Sequence, residues 1–306
     1  MISNKRIIVT GGAGFIGSNL VDKLSKDNKV YVIDNMHTGS EENLAEAMKT
    51  GNVQLIKDDV KNIGKEGIDA DMVFHLGMYS STPMYKDNPH LVAEVVDGMI
   101  SVLEYAKKGR LPLVFASTSS IYNGIKPPHK EDIIPRVTDY YTEARISAER
   151  LAELYARLYD VNVSAMRLFS VYGRHEKAKG KYANLVSQFL WSMKKGEQPV
   201  IYGNGKQRRD FIFVDDVVDA LIAAMEHAKG FNVYNVGTGK NYSLNEVVEK
   251  LNAELGTSIK PKYVKMPISN YVMETLADTS KAREMLGFKA KVSLDEGIKE
   301  LNEYYG

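Results

Sequence analysis

Tyr141 and Arg145 stand four residues apart in a stretch that reads as helix, so their side chains share one face. The pair suits oxidation of an alcohol. A tyrosinate can take the hydroxyl proton while hydride leaves the same carbon. A free phenol has a pKa near ~10 and needs about 4 kcal/mol of differential stabilisation to ionise near neutrality. A fixed cation such as Arg145 can supply part of that. Thr118 ends a β-branched run and offers a hydroxyl that would bond the same alcohol and steady the developing ketone. A plainer alternative stays open for the helix: Tyr140, Tyr141, Tyr155 and Tyr159 also read as a packing stripe.

A second constellation names the hydride acceptor. Thr10-Gly11-Gly12-Ala13-Gly14-Phe15-Ile16-Gly17 follows the first β-branched run and opens the first helical stretch. Gly11 permits the tight turn, Gly14 admits a pyrophosphate close to the backbone, and Gly17 lets helix and strand pack. The helix start adds free N–H groups and a positive dipole end. A glycine triplet alone is equally a plain turn. Here the next run, Val30-Tyr31-Val32-Ile33, ends at Asp34, near the expected spacing of about 20 residues. An acid there accepts from a ribose 2′-hydroxyl and repels a 2′-phosphate, which favours NAD over NADP.

The elements that must position these groups follow from patterning. Ile7–Val9, Val30–Ile33, Val53–Ile56, Met72–Phe74, Leu113–Phe115 and Val161–Met166 read as strands. Phe15–Lys26, Glu41–Lys49, Pro89–Lys108 and Tyr140–Tyr159 read as helices. Uniformly apolar strands alternating with helices predict a parallel sheet covered on both faces. The expected fold is α/β: a Rossmann-type doubly wound parallel sheet with a smaller α/β substrate-binding lobe. The expected division is residues 1–168 for NAD, with part of 211–238 returning to that domain, and 169–306 for the substrate. Helices near Asn245–Glu254 and Asp295–Tyr304 belong to the second lobe.

Composition narrows the classes. The chain of 306 residues has 40 basic and 39 acidic side chains, which argues against a nucleic-acid groove or an anionic membrane as partner. It has no cysteine, so disulfides, thiolate nucleophiles and cysteine-ligated zinc are excluded. No metal site is expected. No apolar run approaches the ~20 residues of a membrane span, and no opening stretch reads as a signal peptide. A cytoplasmic protein is expected.

The ordered motifs resemble the extended short-chain dehydrogenase/reductase family, and within it the nucleotide-sugar epimerases of the UDP-galactose 4-epimerase type. The glycine loop is joined by Asp34-Asn35-Met36-His37-Thr38-Gly39, which resembles the ribose-binding turn. Asp58-Asp59-Val60 resembles the adenine contact, with Asp59 favoured. His75-Leu76-Gly77 is similar to the strand end beneath the nicotinamide, and Phe115 to Tyr122 to the serine-rich strand end that includes Ser117 and Thr118. Tyr141 to Arg145 sits at the Tyr-x-x-x-Lys motif. Arg167 to Gly173, which includes Leu168 and Ser170, resembles the crossing into the substrate lobe, and Tyr202 to Phe211 the nucleotide clamp. The resemblance implies NAD contacts at Gly11, Gly14, Phe15, Ile16, Gly17, Asp34, Asn35, Thr38, Gly39, Asp59, Val60, Leu76, Gly77, Ser117, Tyr141, Arg145 and Leu168. It implies substrate contacts at Thr118, Ser170, Asn184, Leu185, Tyr202 and Arg209. The implied reaction oxidises C4 of a UDP-hexose and reduces it on the other face, with Thr118, Tyr141 and Arg145 catalytic and NAD restored each cycle.

Several positions depart from that pattern. Arg145 replaces the lysine, Val95 and Ser170 replace asparagines, and no second phosphate-binding arginine appears near Ile268. The run Arg174 to Lys181 offers another cation or a solvated basic loop, and Thr275 is placed near the sugar. Ser119-Ser120 lacks the carboxylate that sugar dehydratases and decarboxylases of this scaffold use. Two alternatives stand beside epimerisation: another NAD-dependent nucleotide-sugar oxidoreductase, and a non-catalytic NAD or nucleotide-sugar binder. The resemblance further implies a homodimer through the two long helices, with Met99, Val102, Leu103, Leu151, Leu154 and Leu158 as its seam. The same residues would serve equally well against the sheet.

Overall fold

A computed structural model describes residues 2–266 and 271–306. In chain order the strands are β1 (Arg6–Thr10), β2 (Lys29–Ile33), β3 (Val53–Ile56), β4 (Met72–His75), β5 (Leu113–Thr118), β6 (Val163–Leu168), β7 (Ser170–Tyr172), β8 (Val200–Tyr202), β9 (Arg208–Arg209), β10 (Phe211–Phe213), β11 (Phe231–Val236), β12 (Tyr242–Ser243) and β13 (Lys262–Val264). The helices are α1 (Phe15–Leu24), α2 (Ala45–Met48), α3 (Thr82–Asp87), α4 (Leu91–Gly109), α5 (Tyr140–Tyr159), α6 (Leu185–Lys194), α7 (Val214–Glu226), α8 (Leu244–Leu255), α9 (Ser280–Leu286) and α10 (Leu294–Tyr304).

Seven parallel strands form one sheet in the order β11-β6-β5-β4-β1-β2-β3. The pleat sends Ile7 and Val9 to one face and Ile8 to the other, and all three are fully buried. On the first face Leu20 and Val21 of α1 pack with Val217 and Leu221 of α7. On the second, Val102 and Leu103 of α4 pack with Ala148 and Ala152 of α5. Both faces are covered, which is why the strands carry no polar alternation. A third core joins α6, α8 and α10 through Phe189, Leu190, Leu251 and Ile298. The chain leaves the sheet after β6 and comes back to it, since α7 packs on the sheet and β11 pairs with β6.

The strand order reverses between β1 and β4, and there the ends of two strands nearly touch. Gly11 has φ +67, and a Cβ on it would lie 2.5 Å from the Gly77 nitrogen. A Cβ on Gly17 would lie 2.1 Å from the Gly11 carbonyl oxygen.

α5 spans the expected bounds because both ends are chemically marked. The Asp139 carboxylate accepts from Thr142 N at 2.8 Å, and Asp160 closes the helix in the left-handed region. The Glu41–Lys49 stretch is instead a 3₁₀ turn, Glu41–Leu44, followed by the four-residue α2. It buries only Asn43, Leu44 and Ala47, too little apolar surface to hold a longer helix. The expected Pro89–Lys108 helix begins at Leu91, behind extended Asn88, which ends the unanticipated α3. Among the expected seam residues, Met99, Val102, Leu103 and Leu151 pack toward the sheet, while Leu154 and Leu158 are 47% and 61% exposed.

Gly17→Ala is expected to lower stability by about 2 kcal/mol or more through backbone overlap. Gly64→Ala, where nothing lies within 4 Å, serves as the neutral comparison. Urea unfolding midpoints of the two variants check this; equal midpoints would contradict the packing described.

Candidate functional site

A cleft of about 330 Å³ opens at the carboxyl ends of the strands, at the reversal of strand order. That volume lies within the ~300–1,000 Å³ of ligand pockets. Its floor is the glycine loop. Gly14 begins α1 with no side chain to cap the first turn, and the nearest atom to a Cβ there is the Gly11 oxygen at 3.2 Å. The Asp34 carboxylate accepts from Ala13 N at 3.0 Å and from Met36 N at 2.8 Å, which fixes the loop against the next turn. Burial holds the Asp34 carboxyl above its ordinary range, opposed by these N–H groups.

Gly11, Gly14, Phe15, Ile16, Gly17, Asp34, Asn35, Thr38, Gly39, Val60, Leu76, Gly77, Ser117 and Leu168 line this cleft. Asp59 does not; it caps the following turn by accepting from Lys61 N at 2.9 Å, and lines a small adjoining recess with Asn35, Val60 and Val95. Asp58 lines the main cleft instead, and its carboxylate accepts from Asp59 N and from the Asn62 amide.

The far wall carries Thr118 from the end of β5 with Tyr141 and Arg145 from the first turns of α5. Thr118 Oγ1 accepts from Ser120 N at 3.1 Å, leaving its own proton to donate. The Arg145 guanidinium lies 5.2 Å from the Tyr141 ring centroid. It is 3% exposed, and Nη2 donates to the Tyr79 carbonyl at 2.8 Å. Nε and Nη1 are buried with no partner among the described residues. A buried guanidinium with open donors calls for an acceptor that the described residues do not provide.

The Tyr79 carbonyl also accepts from Tyr85 Oη at 3.0 Å. The His37, Tyr79, Tyr85 and Tyr141 rings meet edge-on or tilted in sequence, with centroids 5.0, 6.4 and 5.5 Å apart. Beneath them His75 is fully buried. Thr10 Oγ1 accepts from Gly77 N at 3.2 Å and lies 2.7 Å from His75 Nδ1. Burial, with the Arg145 charge adding to it, pushes the imidazole down to about 3.

Residues 7–237 match the model of a family described as the NAD-dependent epimerase/dehydratase family. The chain belongs to that family. A relative named UDP-glucose 4-epimerase, from Mycolicibacterium smegmatis, is 32% identical over 98% of both chains. A UDP-N-acetyl-alpha-D-glucosaminuronate decarboxylase from Bacillus cytotoxicus is also 32% identical over 98% of both. Among solved structures, a UDP-N-acetylglucosamine 4-epimerase from Methanobrevibacter ruminantium, in complex with UDP-N-acetylmuramic acid, superposes with a TM-score of 0.94 at 31% identity over 99% of each chain. A UDP-glucuronic acid 4-epimerase from Bacillus cereus, in complex with UDP-glucuronic acid and NAD, gives 0.88 at 27% identity over 98% of each.

Family membership makes NAD the cofactor, and the donors present suit it. An uncapped helix start suits a diphosphate, and the Asp34 carboxylate held beside it suits a ribose diol. The family fold also accounts for the seven-stranded sheet. Among the described residues no group of three or more acidic, histidine or cysteine side chains could hold a metal. None of their helices is long and apolar enough to cross a membrane.

Of the expected substrate contacts, Ser170 and Asn184 line the cleft, while Leu185, Tyr202 and Arg209 lie outside its lining. Leu185 packs on the third core, Tyr202 is exposed, and the Arg209 guanidinium donates to the Arg208 and Val272 carbonyls, 5.3 Å from the Tyr271 ring. Thr275 is buried and accepts from Asp210 N at 3.2 Å, away from the cleft. The expected absence of an arginine near Ile268 falls at residues 267–270, outside the described residues. Sequence reasoning missed Tyr79 and Glu176, and left Lys179 within an undivided basic run. Tyr79 had one available signal: it lies two residues beyond the His75-Leu76-Gly77 motif at the end of β4.

The native state keeps His75 neutral, whereas the unfolded chain protonates it near pH ~6.5. Stability present above that pH is therefore lost as pH falls from about 6.5 toward 3. His75→Asn is expected to flatten the pH dependence of unfolding between pH 6 and 4 by about 1.4 kcal/mol per pH unit. An unchanged slope in chemical denaturation series would contradict a neutral buried His75.

Proposed function

We propose that this family member epimerises C4 of a UDP-hexose of the glucose/galactose type by transient oxidation and re-reduction. What supports the reading is one arrangement: Thr118, Tyr141 and Arg145, from β5 and α5, face the same cleft as the glycine loop. Bound NAD supplies a reversible two-electron acceptor. The protein's own part is to hold the sugar alcohol and move its proton. Tyr141 Oη takes the proton of the hydroxyl and later returns it to the other epimer. Thr118 Oγ1, steadied by Ser120 N, donates to the same oxygen and fixes its orientation. The permanently charged guanidinium of Arg145 stabilises negative charge developing on the reacting oxygens. The near-complete burial of Tyr141 and Arg145 keeps water from this wall.

Ser119 and Ser120 line the cleft where a dehydratase or decarboxylase would need an acid. Among the described residues the carboxylates lining the cleft are Asp34, Asp58 and Glu176, and Glu176 is already bonded to Asn184 N and Ser187 Oγ. Both facts favour epimerisation over elimination. Ser170 and Asn184 are assigned to the sugar and diphosphate, and Leu185, Tyr202 and Arg209 to the uridine end beyond the cleft. In this reading residues 1–168, with part of 211–238, hold the dinucleotide and residues 169–306 the sugar nucleotide. The exposed Leu154 and Leu158 on the outer face of α5 support a homodimer.

Purified protein given UDP-galactose without added NAD is expected to form UDP-glucose with no accumulation of NADH. Bound NAD with no turnover would establish a binder, and NADH formed only on adding NAD would establish a dehydrogenase. Tyr141→Phe should lower kcat by at least about 100-fold and leave NAD bound; substantial residual turnover would remove Tyr141 from the role of base.

A further inference from the structure

Residues 177–182 form a strap of two 3₁₀ turns broken at Gly180, which has φ 50 and ψ −120. The strap is fixed at its start by Glu176, whose side chain is fully buried. The Glu176 carboxylate accepts from Asn184 N and from Ser187 Oγ, each at 2.6 Å, and its backbone N–H donates to Tyr305 Oη at 3.1 Å. The three lysines of the strap then divide. Lys177 and Lys181 are exposed. Lys179 is only 16% exposed, with Nζ 3.7 Å from a Glu176 oxygen and 5.4 Å from the centroid of the Phe15 ring.

Phe15 is the first residue of α1, directly after the loop that receives the dinucleotide. Among the described residues lining the cleft, Arg145 and Lys179 are the only lysine or arginine side chains. Arg145 is tied to Tyr79 at the Tyr141 end. A diphosphate at the start of α1 carries about two negative charges, and the glycine loop can answer them only with backbone dipoles. Lys179 is the mobile-headed cation placed at that end, and Glu176 beneath it limits where its ammonium can go.

We infer that Lys179 is a cofactor-binding residue that closes over the diphosphate of bound NAD, with Glu176 as the positioning residue that aims it. The ammonium is shared between the buried carboxylate and the diphosphate, so the strap ties residues beyond the sheet to the cofactor. A cofactor that is restored within every cycle gains from such a fastening, because it has no reason to leave. The inference rests on the cleft being the NAD site and does not depend on which sugar reaction follows.

The test measures binding, not turnover. NAD and UDP dissociation constants are determined by calorimetry on cofactor-stripped protein, for the parent, Lys179→Gln and Lys179→Arg. The NAD content of each protein as purified is measured alongside. Lys179→Gln is expected to weaken NAD about tenfold or more, to weaken ADP-ribose equally because it carries the same diphosphate, and to leave UDP within about twofold. Lys179→Arg is expected to recover most of the loss. Unchanged NAD affinity in Lys179→Gln would overturn the inference. So would a loss confined to UDP, which would move the lysine to the diphosphate of the sugar nucleotide. An unchanged urea midpoint shows that Lys179→Gln is folded, and repeating the titration in Tyr141→Phe separates cofactor fastening from sugar chemistry.

Discussion

The molecule is organised around a crossing of two backbone turns that leaves no room for a side chain. Parallel strand order reverses between β1 and β4, so the chain segments leaving them diverge and open a crevice. At its base Gly11 and Gly77 approach so closely that a Cβ on Gly11 would overlap the Gly77 backbone. The Thr10 hydroxyl ties the two ends, accepting from Gly77 N and meeting the His75 ring. A floor made of backbone is what lets a dinucleotide come close. Reactive side chains must then reach in from the wall, which β5 and α5 provide.

Two buried arginines show how structural and functional charge differ in the same fold. Arg167 is fully answered: Nε and Nη2 meet Glu149 at 3.0 and 2.7 Å, and Nη1 meets Tyr122 Oη at 2.7 Å and the Glu131 carbonyl at 3.1 Å. Its work is to join β6 to α5 and to the loop between β5 and α5. Arg145, equally buried, has one acceptor among the described residues and two nitrogens without any there. Leaving a buried charge so poorly paired costs stability, and the cost is offset only if something else enters the cleft. Arg145 thus holds a cation at the site, tethered to the Tyr79 carbonyl.

Much of this was legible in the sequence because it is local. The glycine loop, Asp34 at the end of β2 and the i, i+4 pair of α5 are each set by neighbours in the chain, and the structure brings them to one cleft. Burial on both faces made the six early strands readable, while β11 joins the sheet only through a late return of the chain. What was not legible depends on distant partners. Asp58 and Asp59 are adjacent, and only the turn they cap decides which faces the main cleft. Lys179 differs from Lys177 and Lys181 through Glu176 and Phe15, which no spacing rule connects. Tyr202 and Arg209 matched a motif but lie outside the cleft lining, since a motif fixes order along the chain and not the depth of a side chain.

Epimerisation by the proposed route requires one carbon of a sugar nucleotide to lose hydride to the cofactor and regain it within a single binding event. Deuterium at C4 of the UDP-hexose tests it most directly, with the product analysed by mass spectrometry and proton NMR after reaction in ordinary water. Oxidation and re-reduction by the bound cofactor give an inverted C4 that retains its deuterium, without solvent hydrogen entering. Inversion with the label washed out into water would mean that the carbon is deprotonated instead of oxidised, and would contradict it.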